Sequence, residues 1–173
     1  MKRILTIPII LAALIASYIF ASPYITIFQL KSAASNQNGE AVAEHVDFIY
    51  LRQNMKDQFN MMAAQEAANQ VEDDNPFAAL GAVLGGVMVD EMIDSFVTPI
   101  GVAEMINGST PDSEQESSAD TQQSNPFANS KMQYESLNKF SVTTTDEGTN
   151  DEVRFILRRR GLGWKLTEIF FPL

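Results

Sequence analysis

The sequence predicts an α+β domain behind an N-terminal membrane helix, with a helical layer packed on a C-terminal antiparallel meander of three strands. Three patterns carry that expectation. A charge-free apolar run fills residues 4–20, behind Lys2 and Arg3. Phe48, Leu51, Met55, Phe59 and Met62 recur at intervals of three and four, which draws one stripe along a helix. Phe140, Val142 and Thr144, then Val153, Phe155 and Leu157, alternate at the period of a half-buried strand.

Residues 1–21 read as a membrane anchor or signal sequence. Ten of the seventeen residues from 4 to 20 are Ile, Leu or Phe. Each favours insertion by about 0.3–0.6 kcal/mol. Signal cleavage needs small residues at the third and first positions before the cut. The best candidate is Ile19-Phe20-Ala21, where Ile is too large, so an uncleaved anchor is expected. Lys2 and Arg3 hold the cytoplasmic side by the positive-inside rule. The rest of the chain then lies in the periplasm of a bacterium with two membranes.

Residues 22–107 form the helical part. Ser22-Pro23, Asn75-Pro76 and Thr98-Pro99 each pair a capping residue with a proline at the first helical position. Helices are expected over 23–35, 40–45 and 48–69, the first ending before the turn Asn36-Gln37-Asn38-Gly39. Asp47 is the expected cap of the third. Residues 78–89 carry no charge, and Gly81 and Gly85 give a small-residue spacing that permits close helix packing. A last short helix follows Thr98-Pro99.

Residues 108–130 are a tether. Only Ala119, Phe127 and Ala128 are apolar there, too few to offset the entropy of ordering the segment. Residues 131–173 complete the domain. One strand is expected over 134–145, a turn over 146–151, a second strand through Arg158-Arg159-Arg160, and a third through Trp164, Leu166 and Ile169. Alternation places Leu162 and Leu166 on the face of Trp164. Three strands need a cover, which the helices supply.

Composition limits the chemistry. The absence of cysteine excludes disulfides, thiolate zinc sites and cysteine nucleophiles. A single histidine excludes multi-histidine metal sites. The net charge of −10 argues against a nucleic-acid partner, since phosphate contacts require a cationic surface. Asp90 and Asp94 stand one helical turn apart beside Glu91, but no calcium-loop spacing accompanies them, so a solvated face is expected. His45 has no Gly-x-Ser-x-Gly elbow to serve, so a structural or surface role is expected. Arg158 and Arg160 share one strand face and Arg159 the other. They either meet an anionic ligand or pair with Asp146, Glu147, Asp151 or Glu152 across the hairpin.

A resemblance joins these pieces. Ser22-Pro23-Tyr24 is followed by Leu30-Lys31-Ser32-Ala33-Ala34, by Val46-Asp47-Phe48 with Leu51-Arg52, and by Val97-Thr98-Pro99 with Gly101. The chain closes on Leu157-Arg158-Arg159-Arg160-Gly161-Leu162-Gly163-Trp164-Lys165-Leu166, with Ile169 and Pro172. This resembles the bacterial "domain of unknown function 2939" family over nearly everything after the anchor except the tether. Membership implies an envelope-associated protein of unknown activity and supplies no catalytic residues. Element order is also distantly similar to nuclear-transport-factor-like and cystatin-like folds.

The expected function is non-enzymatic: an accessory or binding domain anchored in the inner membrane, with no metal and no cofactor. An apolar or lipid ligand is expected between the sheet and the 78–89 helix, touching Leu80, Leu84, Met88, Trp164, Arg158 and Arg160. The alternatives are a protein-interaction module of the envelope and, third, a small hydrolase, for which no residue constellation stands out.

Overall fold

Helix α1 runs unbroken through Thr6–Ser35 with Pro23 inside it. The structure, a computed structural model of the chain, describes residues 6–69, 86, 88–107, 130–145 and 152–171. The expected helix start at Pro23 is thus corrected. An interior proline removes the bond to the carbonyl four residues back, here that of Ile19. Hydroxyls replace it. Ser22 Oγ donates to Ile19 O at 2.8 Å, and Tyr134 OH donates to Phe20 O at 3.0 Å and to Ile19 O at 3.4 Å. Satisfied in this way, the proline site continues the helix instead of beginning one.

The two halves of α1 have different surroundings. Ile7, Ile9, Ile10, Leu11, Leu14 and Ile15 are exposed, whereas Ser22, Thr26, Ile27, Leu30, Ala33 and Ala34 are buried. By length and composition Ile9–Ser35 suffices to cross a membrane, a test that signal sequences also pass. At the C-terminal end Gln37 turns left-handed at φ 50°, and the N–H groups of Gln37 and Asn38 donate to Ala34 O and Ala33 O. Asn38 then caps α2 (Gly39–His45), its side chain accepting from Ala41 N.

Helix α3 (Phe48–Asn69) follows the expected stripe: Leu51 and Met55 are buried, and Phe48 and Phe59 pack against the core. Helix α4 (88–96) and α5 (Pro99–Ile106) close the helical layer. Arg52 donates through Nε and Nη2 to Val97 O, just past the end of α4, and Lys56 Nζ reaches Asp94 at 2.9 Å. Thr98 caps α5 as expected, accepting from Gly101 N at 3.1 Å with Pro99 at the first position. A Cβ at Gly101 would stand 2.0 Å from Phe96 O, so only glycine allows this approach.

The sheet has four strands, not three, in the order β1-β2-β3-β4: Lys131–Ser136, Lys139–Thr145, Glu152–Arg160 and Gly163–Phe170, all antiparallel. The expected strand 134–145 is a hairpin that folds back at Leu137-Asn138. That two-residue turn has no glycine, and neither residue adopts positive φ. A register shift between Tyr134 and Ser136 accompanies it. The β3–β4 turn is of the readable kind, with Gly161 at φ 62°.

One sheet face carries Phe140, Val142, Phe155, Leu157, Trp164 and Leu166 into a core shared with α1, α2, α3 and α5. The outer edge of β4 is covered. Asp47 N donates to Leu166 O at 2.9 Å, Asn54 Oδ1 accepts from Ile169 N at 3.2 Å, and Gln58 Nε2 donates to Ile169 O at 2.6 Å. An edge strand left with free N–H and C=O groups invites pairing with other chains, and α3 prevents that here. The 108–129 part of the expected tether and the expected turn 146–151 lie outside the described residues.

Candidate functional site

The site of interest is the junction where α1 leaves the core. Phe20 meets Tyr134 edge-on at 6.0 Å between ring centroids, and Tyr24 meets Phe140 at 4.9 Å. Tyr134 also packs edge-on against Phe140 and Trp164. Such pairs add about 0.5–1.5 kcal/mol each beyond the area they bury. Trp164 is only 2% exposed, and its Nε1 donates to Ser22 Oγ at 2.8 Å. The Arg159 guanidinium stands over the indole, 5.1 Å from its centroid.

Beside this cluster lies a cavity of about 330 Å³. Tyr18, Ser22, Ile25, Thr26 and Gln29 of α1 form one wall, Glu44 and His45 of α2 a second, and Arg160, Leu162, Gly163, Trp164 and Lys165 the third. Arg160 Nε donates to Asp47 Oδ2 at 2.9 Å and its guanidinium lies 4.4 Å from the Tyr50 ring centre. Arg160 Nη2 is buried without a hydrogen-bond partner. The His45 imidazole titrates below its usual range. Burial disfavours the cation, Glu44 opposes the shift and Lys165 reinforces it. Ser22 shares the cavity with His45, but its hydroxyl already donates to Ile19 O and accepts from Trp164. The walls join apolar and aromatic surface to two cations and one carboxylate, a lining that suits an amphiphilic group. A smaller hollow of about 120 Å³ lies among Met55, Gln58, Phe59, Met62 and Phe171.

Of the six expected ligand-binding residues, Trp164 and Arg160 come together at the junction. Leu80 and Leu84 lie outside the described residues. Met88 is 73% exposed on α4. Arg158 pairs in register with Lys165, and so faces away from Trp164; its Nε donates to Glu168 Oε1 at 2.7 Å. Among the described residues the partners of Arg158 and Arg160 are therefore Glu168 and Asp47, whereas the expected partners Asp146, Glu147 and Asp151 lie outside the described residues. Leu162 does not share the Trp164 face. It is 92% exposed, because Gly161-Leu162 is the turn and the strand begins only at Gly163. Asp94 is held by Lys56, with Arg52 at 3.8 Å. Among the described residues no group of three metal-type side chains gathers.

Sequence reasoning missed Tyr18 and Tyr134, and it set Arg159 on its own strand face without pairing it with Trp164. For Arg159 a signal existed: a two-residue turn pairs 160 with 163 and hence Arg159 with Trp164. Tyr134 was hidden with its hairpin.

No curated protein and no solved structure matches the chain. A family model does, over residues 12–105, just over half of the chain; it runs from α1 into α5 and stops before the sheet, so the closing Arg-Gly-Leu-Gly-Trp-Lys-Leu run lies outside it. That family is described as "Protein of unknown function (DUF2939)", and the chain belongs to it.

Proposed function

We propose that this chain is a single-span protein of the bacterial inner membrane, its α+β domain a non-enzymatic binding or accessory module held against the periplasmic face. The observation that carries the reading is the continuity of α1. Its exposed apolar turns pass without a linker into turns that form the core. An exposed stripe of isoleucine and leucine is costly in water and suits hydrocarbon. The committed Ser22 hydroxyl supports a binding role over a hydrolytic one. We centre the lipid reading on the junction cavity, where an amphiphile would find Tyr18 and Ile25 beside Arg160 and Lys165; residues 78–85 of the helix expected to cover the ligand lie outside the described residues. Element order, helices followed by a meander, supports the distant nuclear-transport-factor-like or cystatin-like likeness.

The test is extraction and topology of the full chain. It is expected to stay in the membrane pellet through an alkaline carbonate wash, and its domain to be digested by protease added to spheroplasts. Release by carbonate, or protection in intact spheroplasts, would contradict the proposal. A protein partner is the second reading, supported by Met88, Met92, Phe96 and Ile100, all exposed along α4 and α5.

A further inference from the structure

Two turns at one end of the sheet share a pattern that the fold does not use. The pairs Ser136↔Lys139, Lys139↔Arg158 and Arg160↔Gly163 put the β1–β2 and β3–β4 turns at the same end. Each presents an exposed leucine, Leu137 at 73% and Leu162 at 92%. The strand ends behind them carry Lys139, Arg158, Arg159, Arg160 and Lys165, within a chain of net charge −10. Three of these are paired, Lys139 with Glu135 at 2.7 Å, Arg158 with Glu168 at 2.7 Å and Arg160 with Asp47 at 2.9 Å. Lys165 remains as excess charge, offset in part by Glu44 in the same cavity, with Arg159, whose guanidinium lies over Trp164 and whose Nε is buried, behind it. A leucine tip backed by cations is the arrangement that seats a peripheral element in an anionic interface.

This is also the end from which α1 emerges. Tyr134, three residues before Leu137, donates to Phe20 O, and Leu162 lines the same cavity as Tyr18. Length then decides how far the domain stands from the membrane. A run of seventeen residues, the length of the charge-free segment of the sequence, rises only about 25 Å in helical geometry, against a hydrocarbon core of about 30 Å. Ser22 is already buried in the domain, so the helix offers no spacer. Burying the apolar run draws Tyr18 and Phe20 to the interface, where aromatic rings are favoured. Leu162, lining one cavity with Tyr18, brings its turn toward that interface.

We infer that the Leu137 and Leu162 turns dock on the leaflet from which α1 emerges, the leucines seated at the acyl-chain boundary and the excess strand-end charge, that of Lys165 and Arg159, facing anionic phospholipid headgroups. This rests on α1 being a membrane span, and the experiment separates the two. Because the chain has no cysteine, the full-length variants Leu137→Cys, Leu162→Cys, Leu14→Cys and Glu152→Cys each take a single nitroxide label. They are reconstituted in vesicles of phosphatidylcholine alone or with about one third phosphatidylglycerol, to set the surface charge. In the anionic vesicles the labels at 137 and 162 should be several-fold less accessible to a water-soluble relaxation agent than the label at 152, which pairs with Thr145 at the far end of the sheet. The label at 14 should report lipid. Protection at 137 and 162 should weaken without phosphatidylglycerol and in the added background Lys165→Glu. Labels at 137 and 162 as open as that at 152, with 14 in lipid, would overturn the docking and leave the span standing. Equal protection in both lipids would overturn the headgroup attraction. A water-accessible label at 14 would sink the span and the docking with it.

Discussion

The indole N–H of Trp164 donates to Ser22 Oγ at 2.8 Å, joining the closing strand to the residue before Pro23 in α1. Ser22 passes the connection on to Ile19 O, the carbonyl that Pro23 leaves without its helical donor. One hydroxyl thus supplies the donor that Pro23 lacks and ties the helix to the sheet. Trp164→Ala should destabilise the domain by about 3–5 kcal/mol, as for a large aromatic lost from a core. Trp164→Phe keeps most of the apolar area and should cost about 1 kcal/mol plus the cavity left by the smaller ring. Chemical denaturation of Trp164→Phe, Ser22→Ala and the double variant should show non-additive losses. Additive losses would mean that the bond contributes nothing.

The covered edge of β4 gives a second expectation. Asn54→Ala leaves Ile169 N–H without its acceptor, and Gln58→Ala leaves Ile169 O without its donor. Each should cost about 1–3 kcal/mol, whereas Gln53→Ala on the exposed side of α3 should cost under about 0.5 kcal/mol. Hydrogen exchange at the Ile169 amide should accelerate in Asn54→Ala alone. An unchanged exchange rate there would show that α3 does not guard the edge.

These two features show what was legible in the sequence. The α3 stripe, the Thr98-Pro99 start and the β3 and β4 alternation could be read because period and capping chemistry are local. The Leu137-Asn138 turn could not, since it lacks glycine and any positive φ, and two short strands passed for one long one. Pro23 misled for a different reason. A proline after serine is a helix start only when nothing else satisfies the freed carbonyl, and here Tyr134, more than a hundred residues away, helps to do so. The Arg160 partner Asp47 was likewise set by tertiary contact, whereas Arg158 meets Glu168 across the β3–β4 hairpin. At the site, Trp164 and Arg160 were legible as chemistry, whereas their neighbours on α1 came only from the fold.

A third expectation concerns pH. Burial holds the His45 pKa below its usual 6.5. The unfolded chain therefore binds a proton at higher pH than the folded one. The stability linked to His45 is complete above about pH 6.5 and is lost as pH falls toward the lowered folded value. The melting midpoint should drop between pH 7 and 5, and less so in His45→Gln. Glu135, held below its usual 4.5 first by the Lys139 hydrogen bond, acts in a separate window: its stability is present above 4.5 and is lost as pH falls below that. Identical pH profiles for the wild type and His45→Gln would remove His45 from the account.

The most direct test of the proposal that α1 serves both as membrane span and as core helix is the intact mass of the mature protein extracted from membranes. Cutting after Ala21 would begin the chain at Ser22 and discard the exposed apolar turns while leaving the buried ones. The expected mass retains residues 1–21. A mature chain beginning at Ser22 would contradict it.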